Sequence, residues 1–184
     1  AACRALSVVS YWPAETMITR HRISAGVIVV RDARVLMVRH CKAGAYDFWV
    51  CPGGGVQGAE SLEAAAEREA LEETGLRVRA GRLAYIEEFF NPEQRFVKFW
   101  FMGDLVDSAE GDSDGSAADT DLAGFAIGHP DTVGEHIVEA EWRTREQVMS
   151  GMVFPGFMQQ RFFDDLTHGL MAPVRVPLRE MSVW

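Results

Sequence analysis

GGGVQGAESLEAAAEREALEETGL, residues 53–76, decides how this chain of 184 residues folds. The stretch reads as a glycine-rich turn followed by a helix that carries Glu69, Glu72 and Glu73. Ser61 is placed to cap the helix N-terminus with Glu63 in the first turn, and Gly75 is placed to close it. The three glutamates stand at i, i+3 and i+4, within about 100° of arc on one helical face. Like charges at that spacing repel by about 0.2–0.5 kcal/mol per pair. They also lie in the last turns, where the helix dipole disfavours negative charge. Leu62, Ala65 and Ala66 project onto the same face, so the glutamates continue an apolar stripe and are expected to point inward, toward a cleft. A divalent cation would remove the repulsion, and Mg²⁺ is the usual partner of a few carboxylates plus substrate phosphates.

Gly54, Glu60 and the run Arg68-Glu69-Ala70-Leu71-Glu72-Glu73-Thr74-Gly75-Leu76 resemble the Nudix box, the signature of the Nudix hydrolases. Seven fixed identities at background frequencies of about one in fifteen put a chance match near 10⁻⁶ over a chain of this length, so the motif is specific. Ala70 stands where the family has a larger aliphatic, which predicts closer packing with the chemistry intact. The resemblance implies a metal-dependent hydrolase acting on a nucleoside diphosphate linked to another moiety. It implies a metal site made by Glu69, Glu72, Glu73 and the Gly53 carbonyl, taking Mg²⁺ or alternatively Mn²⁺. It further implies that Arg68 orients Glu69, that Glu60 braces loop and helix through a salt bridge, and that Gly54 and Gly75 are structural members of the motif. Glu69 is the first choice of general base; Glu135 is the best downstream candidate for a base or further ligand, and Glu139 the second. Pro92 resembles a proline of ADP-ribose pyrophosphatases, which makes ADP-ribose or a nucleoside triphosphate the leading substrate expectation. The alternative is a Nudix-like nucleotide sensor without turnover, although such proteins often lose box glutamates that this chain keeps. An isomerase on the same fold lacks support from any further Cys or His constellation.

With 48% hydrophobic residues, the chain is long enough to bury one core, expected over 17–184 behind an extension at 1–16. Met17 is the expected native start. A net charge of -9 argues against a nucleic-acid polymer as partner, while a small phosphate-bearing substrate can still be bridged by metal. No run of about 18 apolar residues is present to span a membrane. Cys3, Cys41 and Cys51 are odd in number and lack CxxC spacing, which fits neither a disulfide framework nor a zinc site and points to a reducing, cytoplasmic setting.

Outside the box, Ile23–Val30 and Val35–Val38 are apolar, β-branched runs flanking a hairpin turn, and are expected to be covered on both faces. Arg39, His40 and Lys42 read as a solvated loop, from which Arg39 is placed to contact a substrate phosphate. Strands are expected over 76–80, 83–90 and 95–106, with a turn at Asn91-Pro92-Glu93-Gln94. The aromatic run Phe96–Met102 reads as a packed strand, with Phe90 and Trp100 assigned to the core in preference to a nucleobase. Residues 107–131 turn acidic and Gly/Ser-rich and read as a long loop without the ligand spacing of an EF-hand. Residues 136–143 alternate like a strand, Thr144 is placed to cap a short helix, and 155–169 predict a last helix that packs Phe157, Met158, Phe162 and Leu166 on the sheet. The tail from Leu170 covers either a homodimer interface or the sheet edge. These elements together predict an α/β protein, an α/β/α sandwich on a mixed sheet, which is also the fold that the resemblance implies.

Overall fold

The computed structural model describes residues 20–106 and 136–180. The expected extension at 1–16, the Met17 start, Cys3, the acidic loop at 107–131 and Glu135 lie outside the described residues.

The apolar runs at the start of the chain form β1 (Arg20–Arg31) and β2 (Arg34–Lys42), joined through Asp32 and Ala33, both with positive φ (49° and 58°). A turn of that hand matches the twist of the strands it joins. The two strands pair only beside the turn, at Val30 with Val35 and Arg31 with Arg34. Beyond that point β1 changes partners. It takes β4 (Gly53–Gly55) on one side, antiparallel from Ser24 to Gly26, and β6 (Gln94–Leu105) on the other, parallel from Arg20 to Val29. Meanwhile β2 pairs with β3 (Tyr46–Val50) and β7 (Ile137–Thr144).

β5 (Val78–Phe90) returns antiparallel to β6 around the Asn91 turn, whose side-chain oxygen accepts the N–H groups of Glu93 and Gln94. The two strands expected at 76–80 and 83–90 are thus one, because an irregular register between Ala80 and Tyr85 absorbs Gly81 and Arg82 without breaking the pairing. The residues read as a solvated loop, Arg39 to Lys42, belong to β2, where both neighbouring strands satisfy their main chain. β8 (Val153–Phe154), β9 (Val174–Arg175) and β10 (Arg179–Glu180) add short parallel edges. The backbone order is β10-β5-β6-β1-β2-β3-β8, with β4 on β1, β7 on β2 and β9 on β5.

Period-two alternation divides the strands between two cores. Val27, Val29, Leu36 and Phe101 pack with Ala65, Ala66 and Ala70 of α1 (Leu62–Thr74). Ile28, Val35, Met37 and Trp100 face the opposite way, onto Val148 of α2 (Arg145–Ser150) and onto Phe157, Met158 and Phe162. This is the expected sandwich on a mixed sheet. Thr144 caps α2 in a reciprocal box with Gln147. The last helix opens as a π-helical turn, Met158–Phe162, and continues as α3 (Phe163–His168) to Gly169. The expected last helix is thus one continuous helix with a π-helical opening, and Phe157, just before that opening, stacks on Tyr85 with ring centroids 4.0 Å apart.

Tyr85 ties that helix down by donating its hydroxyl to Asp165 at 2.7 Å, and Arg161 donates to the same carboxylate from Nε at 2.6 Å and from Nη2 at 3.0 Å. Arg161 first, and Tyr85 with it, holds the Asp165 carboxyl below its usual range, while burial raises Tyr85. A carboxyl lowered by folding contributes stability that is complete above its unfolded value of about 4 and disappears as pH falls through the folded value. Asp165→Asn is therefore expected to lower stability at neutral pH and to flatten its decline below about pH 4, as read from denaturant melts across pH. Parallel wild-type and variant curves would refute this role.

Candidate active site

α1 presents the acidic face. Ser61 accepts the Ala64 N–H at 3.1 Å, and Gly75, at φ 73°, closes the helix with its N–H on Leu71. Both are the roles that the sequence assigns to them. The glutamates do not share one environment. Glu69 and Glu73 are 6% and 2% exposed, whereas the Glu72 side chain is 34% exposed. Ala65, Ala66 and Ala70 fill the rest of the buried stripe, so two of the three carboxylates do continue it inward.

Arg68 organises the outer side of the cluster. Its Nε and Nη2 donate to Glu60 at 3.1 and 2.8 Å, Nη2 also reaches the Gly55 carbonyl at 3.1 Å, and Nη1 donates to Glu69 at 3.0 Å and Glu72 at 2.9 Å. Glu60 also accepts the Gln57 N–H at 2.7 Å, so Arg68 first and that amide second hold its carboxyl below the usual range. The Arg68 guanidinium rises above its own usual value, with Glu60 as the largest cause.

β4 organises the inner side. The triple glycine is a strand instead of a turn, because its backbone runs so close to β1 that a side chain at Gly53 would collide with Gly26 Cα and the Ala25 carbonyl. Gly53 also has φ 150°, open to glycine and strained for other residues. A Cβ at Gly54 would land on the Glu69 carboxylate, so the glycine provides the space that this buried group fills. The Gly53 N–H donates to Glu73 at 2.9 Å, and the Gly53 carbonyl accepts from Lys98 Nζ at 2.8 Å.

Beyond β4 opens a cleft of about 540 Å³, within the size range of small-molecule sites. Glu73, Gly53, Gly54 and Lys98 line its acidic end. Phe89 and Phe96, stacked with centroids 4.8 Å apart, form one aromatic wall. His40, parallel to Phe48 at 5.2 Å, and Phe154, edge-on to Phe48 at 5.1 Å, form another. Arg179 reaches in from β10, donates from Nε and Nη2 to buried Glu87 at 3.2 and 2.9 Å, and lies 4.9 Å from the Phe89 ring centre. Glu87 also accepts the Trp100 indole N–H at 3.1 Å. Arg22 borders both this cleft and a second depression that reaches Glu69, and its guanidinium has no hydrogen-bond or ion-pair partner among the described residues.

The box residues expected to work together, Gly53, Gly54, Glu60, Arg68, Glu69, Glu72 and Glu73, are brought together. Arg39 is placed elsewhere. It donates to Asp47 at 2.8 and 2.7 Å and to Glu139 at 3.4 Å, joining β2 to β3 and β7, and is absent from the lining of the cleft. Trp100 is in the core, as expected, yet its ring also backs the cleft beneath Lys98. Arg22, Lys98 and Arg179 are the site residues that sequence reasoning missed. Phe96, Lys98 and Trp100 share one face by period two, so a lone cation in an aromatic strand was the available signal for Lys98; Arg179 had none.

The cluster offers only oxygen donors, the chemistry that a hard divalent cation takes. As the side chains stand, Arg68, the Gly53 N–H and Lys98 occupy several of those oxygens, and no three His, Cys, Asp or Glu side chains among the described residues converge to chelate an ion. No helix among the described residues is long and apolar enough to cross a membrane.

Comparison with known proteins agrees with this geometry. A curated MutT-like protein of Streptomyces ambofaciens is 41% identical over 64 residues, which span 34% of this chain and 40% of that protein. The solved NUDIX hydrolase of Nitrosomonas europaea matches with a TM-score of 0.59 at 22% identity, over 82% of this chain and 91% of its own. A UDP-X diphosphatase matches with a TM-score of 0.58 at 18% identity, over 89% and 70%. At these identities the structural likeness is one of fold. The NUDIX domain profile matches residues 20–160, most of the chain, and the protein therefore belongs to the NUDIX family.

Proposed function

We propose that this protein is a metal-dependent hydrolase that cleaves the pyrophosphate linkage of a nucleoside diphosphate joined to another moiety, with ADP-ribose and nucleoside triphosphates as the first candidates. The observation that carries this reading is the meeting of the acidic face of α1 with an aromatic-lined cleft at Gly53, Gly54 and Glu73. Phosphates at the acidic end and a planar base against Phe89 or Phe48 would occupy the two halves of one cleft.

Glu69, Glu72, Glu73 and the Gly53 carbonyl would hold Mg²⁺, or Mn²⁺ in its place. When bound, the ion neutralises phosphate oxygens and makes water a better nucleophile. Glu69, aligned by Arg68, is the general base of this reading, with Glu135 as the other candidate. Arg22, with its guanidinium uncommitted, is placed to receive a phosphate oxygen.

The test is Mg²⁺-dependent product release across nucleoside triphosphates, oxidised nucleotides, ADP-ribose, sugar nucleotides, dinucleoside polyphosphates and coenzyme A. Rapid cleavage of one member with metal, and none with chelator, is expected and names the substrate. Tight binding of one member with turnover of none would replace the hydrolase by a nucleotide sensor.

A further inference from the structure

Lys98 has no part in the hydrolase reading, yet its ammonium sits where that reading needs charge. It lies 2.8 Å from the Gly53 carbonyl oxygen and 4.2 Å from the centre of the Trp100 ring. Burial is the larger influence and lowers the Lys98 ammonium below the usual lysine range, while Glu73, Glu87 and Glu69, in that order, favour its charge. Glu87 is already matched by Arg179, and Arg68 is shared among Glu60, Glu69 and Glu72. Lys98 is thus a cation on the inner side of the cluster, where Glu73 is the carboxylate that most favours its charge.

We propose that Lys98 is a displaceable positioning residue, whose ammonium holds the Gly53 carbonyl until a divalent ion takes it and then passes to the phosphate oxygens of the substrate. The inference rests on the metal-dependent reading of the site. A lysine suits the role because its point charge rides on a flexible four-carbon stem with three donors that reorient freely. Lys98 lines the cleft in which the phosphates would lie, so the change of partner requires rotation of one side chain and no movement of β6. An ion and an ammonium held on the same carbonyl oxygen repel each other, so the two compete for it.

The test is Mn²⁺ binding by electron paramagnetic resonance, without substrate, to the full chain of the wild type, Lys98→Met, Lys98→Gln and Lys98→Arg. Loss of the competing charge is expected to tighten Mn²⁺ about tenfold in the Met and Gln variants, and Lys98→Arg is expected to stay near wild type. In the same neutral variants kcat/KM is expected to fall about 100-fold, with Arg recovering part of it. A residue that merely braced the strand would lower activity without tightening the metal. Gln can still donate to the Gly53 carbonyl, so it separates charge from hydrogen bonding should Met fold poorly. Equal Mn²⁺ affinity in wild type and neutral variants overturns the role of Lys98 alone. Absence of Mn²⁺ binding by the wild type overturns this inference together with the metal-dependent reading.

Discussion

Glu72→Gln is expected to lower Mg²⁺-dependent turnover by about 10³-fold while moving the melting temperature by no more than about 2 °C. The reason is the division of labour among the three box glutamates. Glu69 fills the space above Gly54 and Glu73 accepts the Gly53 N–H, so each is part of the packing that holds β4 on α1. Replacing either would confuse lost chemistry with lost structure. Glu72 is a third exposed, and its structural bond in hand is one oxygen on Arg68 Nη1 at 2.9 Å. A glutamine keeps that oxygen as an amide and removes the charge. The proposed ion would then lose a charged ligand, whereas the helix loses one of several contacts around Arg68. Turnover and thermal melts on the same preparation check both halves. A variant with wild-type rates at saturating Mg²⁺ would remove Glu72 from the metal site.

Arg68→Met is expected to have the largest effect on stability, about 3 kcal/mol by urea denaturation. The guanidinium is the common donor of Glu60, Glu69 and Glu72 and also ties Gly55 of β4 to the helix. Its removal leaves Glu69, 6% exposed, with a buried charge beside two other carboxylates. The penalty comes mainly from the carboxylates that lose this donor, because removing one partner of a buried pair costs more than the pair contributes when intact. Neutralising Glu69 as well, in Arg68→Met with Glu69→Gln, should recover part of the loss, and the double-mutant cycle measures how much. A single variant within about 0.5 kcal/mol of wild type would mean that solvent screens the network.

The part of the site that was legible in the sequence is the part held by local geometry. Glu60 meets Arg68, and Arg68 meets Glu69 and Glu72, within one helix and the turn before it, so spacing alone places them together. The hairpin of β1 and β2 was legible because both strands are buried on two faces and read as continuous apolar runs. Three glycines read as a turn because glycine is the usual turn residue; the close approach of β1, which actually requires them, is a tertiary fact. Arg39 to Lys42 read as a loop because they are polar, but Asp47 and Glu139 on the flanking strands answer that polarity. Lys98 to Gly53 spans 45 residues and Glu87 to Arg179 spans 92, and no periodicity joins positions so far apart.

The short strands of the tail have a consequence for the solution behaviour of the protein. β5 would otherwise be an edge, and β9 and β10 cover its outer side along Tyr85 to Phe90, helped by the Val176 N–H on the Ile86 carbonyl. That covered stretch includes Tyr85, Ile86, Phe89 and Phe90, apolar and β-prone, with Glu87 and Glu88 neutralised by arginines of the tail itself. Cleavage near Leu170 would therefore do more than open one wall of the cleft. It would bare a strand of main-chain donors and acceptors ready to pair with the same strand of another molecule, so the tail also guards the protein against aggregation.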